Sequence, residues 1–378
     1  MKIGIDATTI YTAKPTGLGV YSINMINELA RIHDDIVVWT VDDSALKVEP
    51  SKIRLVLQPF RFLGDHLFQL RALWVEMILP SLIRAEGVDV LYSTIPNGLA
   101  SSRVPHVVTV HDLIPLAFPS DSPRTVRWNF HYRIPRILDK AAWVIAVSDY
   151  TRQDVIKNYS VDPEKVVTVS EGFDRDNFFP GRDETVLRRY NLCHKGYILY
   201  VGSSTPRKNV AGLIRSYAQM APRIAQQLVL VGPKSPLELH FLREIILEHR
   251  ITDRVKLINY VPHADLPAIY SSATLFLFLS FYEGFGLPLL EAMACGTPVV
   301  ASFATSLPEV AGDAAMLVDP NDLDAISGAV ELLVNDEERL KHMKSKGLAR
   351  SALFSWESAA RQVLDLLKRG PHFSAQRR

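Results

Sequence analysis

Glu283-Gly-Phe-Gly-Leu-Pro-Leu-Leu-Glu291, running on into Ala292-Met-Ala-Cys-Gly-Thr-Pro298, follows a short apolar run at 274–278. Its residues spell a strand, a tight turn and a helix. Pro288 stands where a helix begins, at a first-turn position that tolerates the missing N–H. Gly284 and Gly286 remove side chains just ahead of that helix, so backbone N–H groups can approach a ligand closely. The helix N-terminus then offers unpaired donors and the positive end of its dipole to a diphosphate. Glu291 falls about one turn inside the helix. A carboxylate there would repel phosphate, so it reads as an acceptor for the ribose diol, and Glu283, ahead of the glycines, reads as a holder of sugar hydroxyls. A bare G-x-G would signify only a strand–turn–helix; two carboxylates flanking a Gly-Phe-Gly-Leu-Pro turn are a much more specific pattern.

The same alternation extends along the chain in both directions. Before this motif, apolar runs at 197–201, 228–231 and 255–258 are separated by helical stretches at 210–220, 237–249 and 265–272; after it, runs follow at 299–302 and 315–318. An earlier series places strands at 2–6, 36–40, 53–57, 88–92, 106–110, 143–146 and 166–169, with helices at 19–32, 149–159 and near 65–86, the last interrupted by Pro80. Strands that are almost continuously apolar belong to parallel sheets covered on both faces. Residues 171–189 break the pattern with two glycines, a proline and many charges, the composition of a linker. The expectation is an α/β chain of two Rossmann-like parallel-sheet domains facing a cleft. The first spans 1–172 and the second, the nucleotide-sugar side, 190–355, with a linker at 173–189 and a basic, disordered tail from 370. A further helix is expected at about 356–369.

The 378 residues fit two such domains, and 48% hydrophobic with 22% charged residues describes an ordinary globular protein. A net charge of +1 gives no support for a nucleic-acid partner. With only Cys193 and Cys295, a disulfide framework or thiolate metal site is not expected, and a reducing compartment fits. The N-terminus reads as a strand rather than a signal peptide. No apolar run approaches the roughly 20 residues that cross a bilayer. These features point to a cytoplasmic protein, soluble or at the inner face of the membrane.

The Glu283–Pro298 stretch resembles the signature of glycosyltransferase family 4. That family has the GT-B fold and transfers with retention at the anomeric carbon; the fold implies that the helix at about 356–369 crosses back to the first domain. The resemblance covers almost the whole chain. Gly17-Leu-Gly19-Val-Tyr21 is similar to the family's N-terminal glycine loop, Val110-His-Asp-Leu-Ile-Pro115 to its His-containing strand end, and Gly172-Phe-Asp174 to the approach to its linker. Gly202 to Asn209, with Ser203, Arg207 and Lys208, resembles its basic loop, and Asn259-Tyr-Val261 its base-side loop. Two departures stand out: a short Ser-Ser-Thr-Pro segment before Arg207, and Glu171 where Asn is frequent. Neither is expected to touch a central role.

The resemblance implies a hexosyltransferase moving a hexose, mannose first, from a GDP-, UDP- or dTDP-sugar to a glycan or lipid-linked acceptor in polysaccharide assembly. Arg207 and Lys208 follow a strand at the sheet's carboxyl edge, where fixed cations stabilise a departing diphosphate. They would replace a metal: no D-x-D motif sits beside a plausible donor site, and no cofactor is expected. His111 is implied to meet a donor-sugar hydroxyl or the reacting region. With Arg207, Lys208 and Glu283 it forms the expected catalytic set. Donor binding is assigned to Ser203, Tyr260, Val261, Gly284, Phe285, Gly286, Leu287 and Glu291, with Gly17 and Gly19 as a second cradle. Asp112 reads either as a base or nucleophile, or as a residue that orients a turn or His111. The apolar stretch at 60–83, with Arg61, Arg71 and Arg84 in or beside it, is either a buried crossover helix or a patch meeting lipid. Rival readings are a nucleotide-sugar epimerase, a phosphorylase or a non-catalytic nucleotide-sugar binder.

Overall fold

The computed structural model describes residues 1–10, 17–58, 67–232 and 235–369, with side chains from residue 71 onward in the helix that begins at Leu67. Arg61 and the tail beyond 369 lie outside the described residues. The chain divides into two compact units, Met1–Gly172 with Trp356–Arg378, and Phe173–Ser355.

The first unit is built on seven parallel strands: β1 (Ile3–Ala7), β2 (Ile36–Thr40), β3 (Ile53–Leu55), β4 (Val90–Ser93), β5 (His106–Val110), β6 (Trp143–Ala146) and β7 (Val166–Thr168), in the order β3-β2-β1-β4-β5-β6-β7. Every residue of β1, β2, β4, β5 and β6 is buried, as the near-continuous apolar runs require of strands covered on both faces. The strand order reverses between β1 and β4, which opens a crevice at their carboxyl ends. The helix Trp356–Arg369 buries Trp356, Ala359, Ala360, Val363, Leu364 and Leu367, a stripe at helical spacing, and packs on the helix Gly17–Ile32. Trp356 meets Tyr21 edge-on at 5.5 Å, and Arg31 pairs with Glu357 at 3.2 Å.

The stretch with two competing readings forms the helices Leu67–Met77 and Leu79–Ala85, with Pro80 in the first turn of the second. Trp74, Val75, Leu79 and Ile83 enter the core while Leu73, Met77 and Ile78 stay exposed. Arg71 does not reach the surface. It is buried and pairs with Asp6 at 2.7 Å, with Thr8 at 2.5 Å, so it is not a headgroup ligand in this fold. Among the described residues no helix is long and apolar enough to cross a membrane.

The second unit carries six parallel strands: β8 (Tyr197–Val201), β9 (Gln227–Val231), β10 (Val255–Ile258), β11 (Leu275–Phe278), β12 (Val299–Ser302) and β13 (Ala315–Val318), ordered β10-β9-β8-β11-β12-β13. Here the reversal lies between β8 and β11. Segment 173–189 is not wholly irregular. It ends in the helix Glu184–Arg189, capped by the Asp183 carboxylate on the N–H groups of Thr185 and Val186 and anchored by buried Val186 and Leu187.

Candidate active site

The two loops that leave the reversal point of the second sheet carry the residues singled out in the sequence. Arg207 and Lys208 follow β8; Glu283 follows β11, its neighbour. Side chains 75 positions apart therefore meet: Lys208 Nζ donates to Glu283 Oε1 at 2.5 Å, and Arg207 Nη1 to Glu283 Oε2 at 3.2 Å and to the Tyr282 carbonyl at 2.9 Å. The loops are also stitched by the Phe281 N–H on the Arg207 carbonyl at 2.8 Å. Lys208 lies over the Phe278 ring at 5.2 Å. Burial works to raise the Glu283 carboxyl, but Lys208 and then Arg207 outweigh it and hold it below the usual carboxylate range. One buried carboxylate thus gathers two cations at this edge. The sequence had assigned the cations to phosphate and Glu283 to sugar; the fold shows that the three also position one another.

The turn after Glu283 is held from a loop the sequence reading passed over. Thr305 Oγ1 accepts from the Glu283 N–H at 3.0 Å, and the buried Ser306 hydroxyl bridges the Glu283 and Phe285 carbonyls, each at 2.9 Å. Gly286 caps the helix Leu287–Ala294 with φ +115°, and a Cβ there would lie 2.7 Å from Leu307 Cδ2. The positive φ is what calls for glycine; the close contact is with the end of a leucine side chain. The buried Phe285 side chain packs edge-on against Phe354, so the loop offers backbone rather than this ring. Leu287 opens the helix; Pro288 brings no N–H to its first turn, and the Leu289 N–H donates to the Gly286 carbonyl at 3.0 Å.

Glu291 lies in this helix and accepts from the Tyr270 hydroxyl at 3.0 Å. Burial pushes its carboxyl up to about 7, with the Tyr270 bond pulling the other way. Tyr270 is a partner the sequence did not suggest; it comes from the helix Leu266–Ser272. Asp265 stands at that helix's N-cap position without capping it, because Arg189 at 2.6 Å and Tyr190 at 2.8 Å take its carboxylate instead. Val261 is buried and Tyr260 exposed. Ser203 gives its carbonyl to the Tyr200 hydroxyl at 2.6 Å, while the buried hydroxyls of Ser204 and Thr205 have no hydrogen-bond partner among the described residues.

In the first unit, His111 follows β5 and is buried. Its Nε2 contacts the Thr94 carbonyl at 2.8 Å and its Nδ1 the Glu171 Oε1 at 3.2 Å, with the Tyr21 ring edge-on at 4.4 Å. Glu171, set aside in the sequence as a minor departure, is thus a direct partner of His111. The next carboxylate, Asp112, accepts from the Ile114 N–H at 2.9 Å, the turn-orienting option of its two readings. Gly17 and Gly19 do not form a loop ahead of a helix, as expected; both lie in the first turn of the helix Gly17–Ile32. A Cβ at Gly17 would meet nothing within 4 Å, so crowding does not explain it. Among the described residues, no three His, Cys, Asp or Glu side chains are grouped to hold a metal ion.

This architecture and these loops have counterparts in known proteins. Residues 191–350 match the family model "Glycosyl transferases group 1", and residues 15–177 match "Glycosyltransferase Family 4". The chain is similar to O-antigen chain mannosyltransferase B of Escherichia coli, 36% identical over 282 residues, spanning 72% of this chain and 73% of that protein. It is 28% identical to the E. coli serotype-specific mannosyltransferase WbdA over 92% of its own length but only 44% of that longer protein. Among solved structures, Anabaena HepE in complex with UDP superposes with a TM-score of 0.75 at 19% identity, over 98% of this chain and 100% of that one, a likeness of fold. The chain belongs to glycosyltransferase family 4, among the group 1 glycosyl transferases, and is a glycosyltransferase.

Proposed function

We propose that this chain transfers a hexose from a nucleoside-diphosphate sugar to a glycan or lipid-linked acceptor, with retention and without a metal ion. The similarity to an O-antigen chain mannosyltransferase favours mannose, and GDP-mannose as the first donor to test. The observation that carries the reading is the Arg207–Lys208–Glu283 group beside the Gly286-capped helix. It joins two cations gathered on one carboxylate, a glycine-capped helix start and, among the described residues, two adjacent partnerless hydroxyls, Ser204 and Thr205. A diphosphate can accept from these cations and from both hydroxyls.

In the transfer, the bond from the anomeric carbon to the β-phosphate oxygen breaks as the acceptor oxygen bonds to the same face of that carbon. The acceptor's proton passes to the departing phosphate oxygen. Negative charge grows on that phosphate during the step, and Arg207 and Lys208, held by Glu283 before the donor arrives, neutralise it without reorganising. Glu291 receives the ribose diol. His111 meets a hydroxyl of the donor sugar.

Calorimetric titration with GDP, UDP and dTDP, followed by donor hydrolysis without acceptor, tests this reading. One nucleotide should bind, and turnover should fall at least about 100-fold in Lys208→Ala. Absence of binding by all three nucleotides overturns it. Retention is checked by the anomeric coupling in the product, and metal independence fails if a chelator abolishes transfer and a divalent ion restores it.

A further inference from the structure

We infer that Glu171 is a positioning residue for His111, one that fixes the ring and keeps a proton on each of its nitrogens. The inference rests on the reading of His111 given above and adds a partner to it. A backbone carbonyl can only accept, so the 2.8 Å contact to Thr94 requires the proton on Nε2. A lone pair on Nδ1 would then face the Glu171 carboxylate at 3.2 Å, acceptor against acceptor, so a second proton must lie between them. Imidazole is the stronger base of the two side-chain types, which leaves that proton on the ring. His111 is thus held between two acceptors, one of them the carboxylate buried beside it.

The surroundings are consistent with a ring held rather than merely packed. The Tyr21 edge closes one side; its own hydroxyl is engaged with Tyr92 at 3.0 Å and Thr109 at 3.3 Å. Asp112, the next residue, turns its carboxylate to Ile114, and the Thr151 hydroxyl is directed to the His111 carbonyl. Glu171 comes from the segment after β7, two strands away from β5, so the pair ties the carboxyl ends of the sheet together. An Asn at 171, frequent where the family resemblance places this residue, could donate its amide N–H to Nδ1 and leave the ring neutral. A glutamate carboxylate can only accept from Nδ1, and any substrate oxygen that claims Nε2–H must displace only the Thr94 carbonyl.

Nitrogen-15 spectra of the His111 side chain in the full chain test the pair without any donor. At neutral pH both ring nitrogens should show protonated shifts in wild type, and Nδ1 should move to the unprotonated position in Glu171→Gln. Under the assay for transfer, Glu171→Gln should lower kcat about tenfold or more with KM for the donor changed less than about threefold. Glu171→Asp should restore the second proton and part of kcat, and it carries the test if Glu171→Gln fails to fold. An unprotonated Nδ1 in wild type, or a spectrum and a kcat indifferent to Glu171→Gln, overturns the inference. If wild type transfers from no sugar nucleotide while the spectra behave as described, it is the proposed function that falls and the pair that stands.

Discussion

At the scale of single residues, the donor-side carboxylates differ in kind because their neighbours differ. Glu283 is buried against two cations and is ionised; Glu291 is half-buried beside a phenol and resists ionisation. Removing the Glu283 charge takes a buried partner from both cations, so Glu283→Gln should lose transfer and about 2–4 kcal/mol of unfolding free energy, read by urea denaturation. Part of that loss should return when GDP is added, if a diphosphate replaces the missing charge. For Glu291, a carboxyl raised in the fold from 4.5 to about 7 binds protons that the unfolded chain has released. It therefore supports the fold below its ordinary value, and that support drains away as pH rises through 4.5 to about 7. Glu291→Gln should accordingly be stabilised relative to wild type by about 1–2 kcal/mol near pH 8, since Glu291 is partly exposed, with little difference near pH 5. Melting curves at the two pH values check this; a stabilisation larger at the acid end would contradict it. The same variant should bind nucleotide more weakly, having lost the anion for the ribose diol. Glu171 shows how a residue's meaning is lost when read alone: its partner stands 60 positions earlier.

At the scale of elements, the decisive construction is the β11 loop with the helix behind it. Its strand, turn and helix are all legible in the spacing of Gly284, Gly286 and Pro288, and Gly286 takes a backbone conformation that L side chains rarely adopt. Gly286→Ala should cost about 2 kcal/mol or more in stability, through strain and overlap with Leu307, and should weaken nucleotide binding by displacing the helix N-terminus. Calorimetry on the folded fraction separates the two effects, and unaltered affinity would show that the helix end does not hold the ligand. The loop's second support, Ser306 bridging two carbonyls, was not legible, because serine in a polar turn has many uses and nothing local names its acceptors. The glycines at 17 and 19 misled for a related reason. Gly-x-Gly marks a site where the chain turns or a helix starts, and only the fold shows that here it is the first turn of a helix.

At the scale of the whole molecule, each of the two units has its own sheet and core, and the C-terminal helix belongs to the first. Trp356→Ala should therefore destabilise one unit selectively by about 3–4 kcal/mol, from the lost burial of a large aromatic against Tyr21. Hydrogen exchange should show protection falling in β1, β4 and β5 while β8, β9 and β11 keep theirs; equal loss in both sheets would mean that the helix supports the chain as a whole. By itself the sequence determined the class of architecture, the position of nearly every strand and the identity of Arg207, Lys208, Glu283 and Glu291 as candidates. Those features depend on local periodicity, turn chemistry and motif spacing, which act over a few residues. Only the tertiary structure decided strand order, and with it which candidates touch: the reversal between β8 and β11 brings Glu283 to its cations. Likewise the β5-β6-β7 order brings Glu171 to His111, and burial gives Arg71 to Asp6 rather than to a surface. Such pairings are set by parallel crossovers spanning dozens of residues and by the cost of burying charge unpaired, and neither leaves a local trace in the chain.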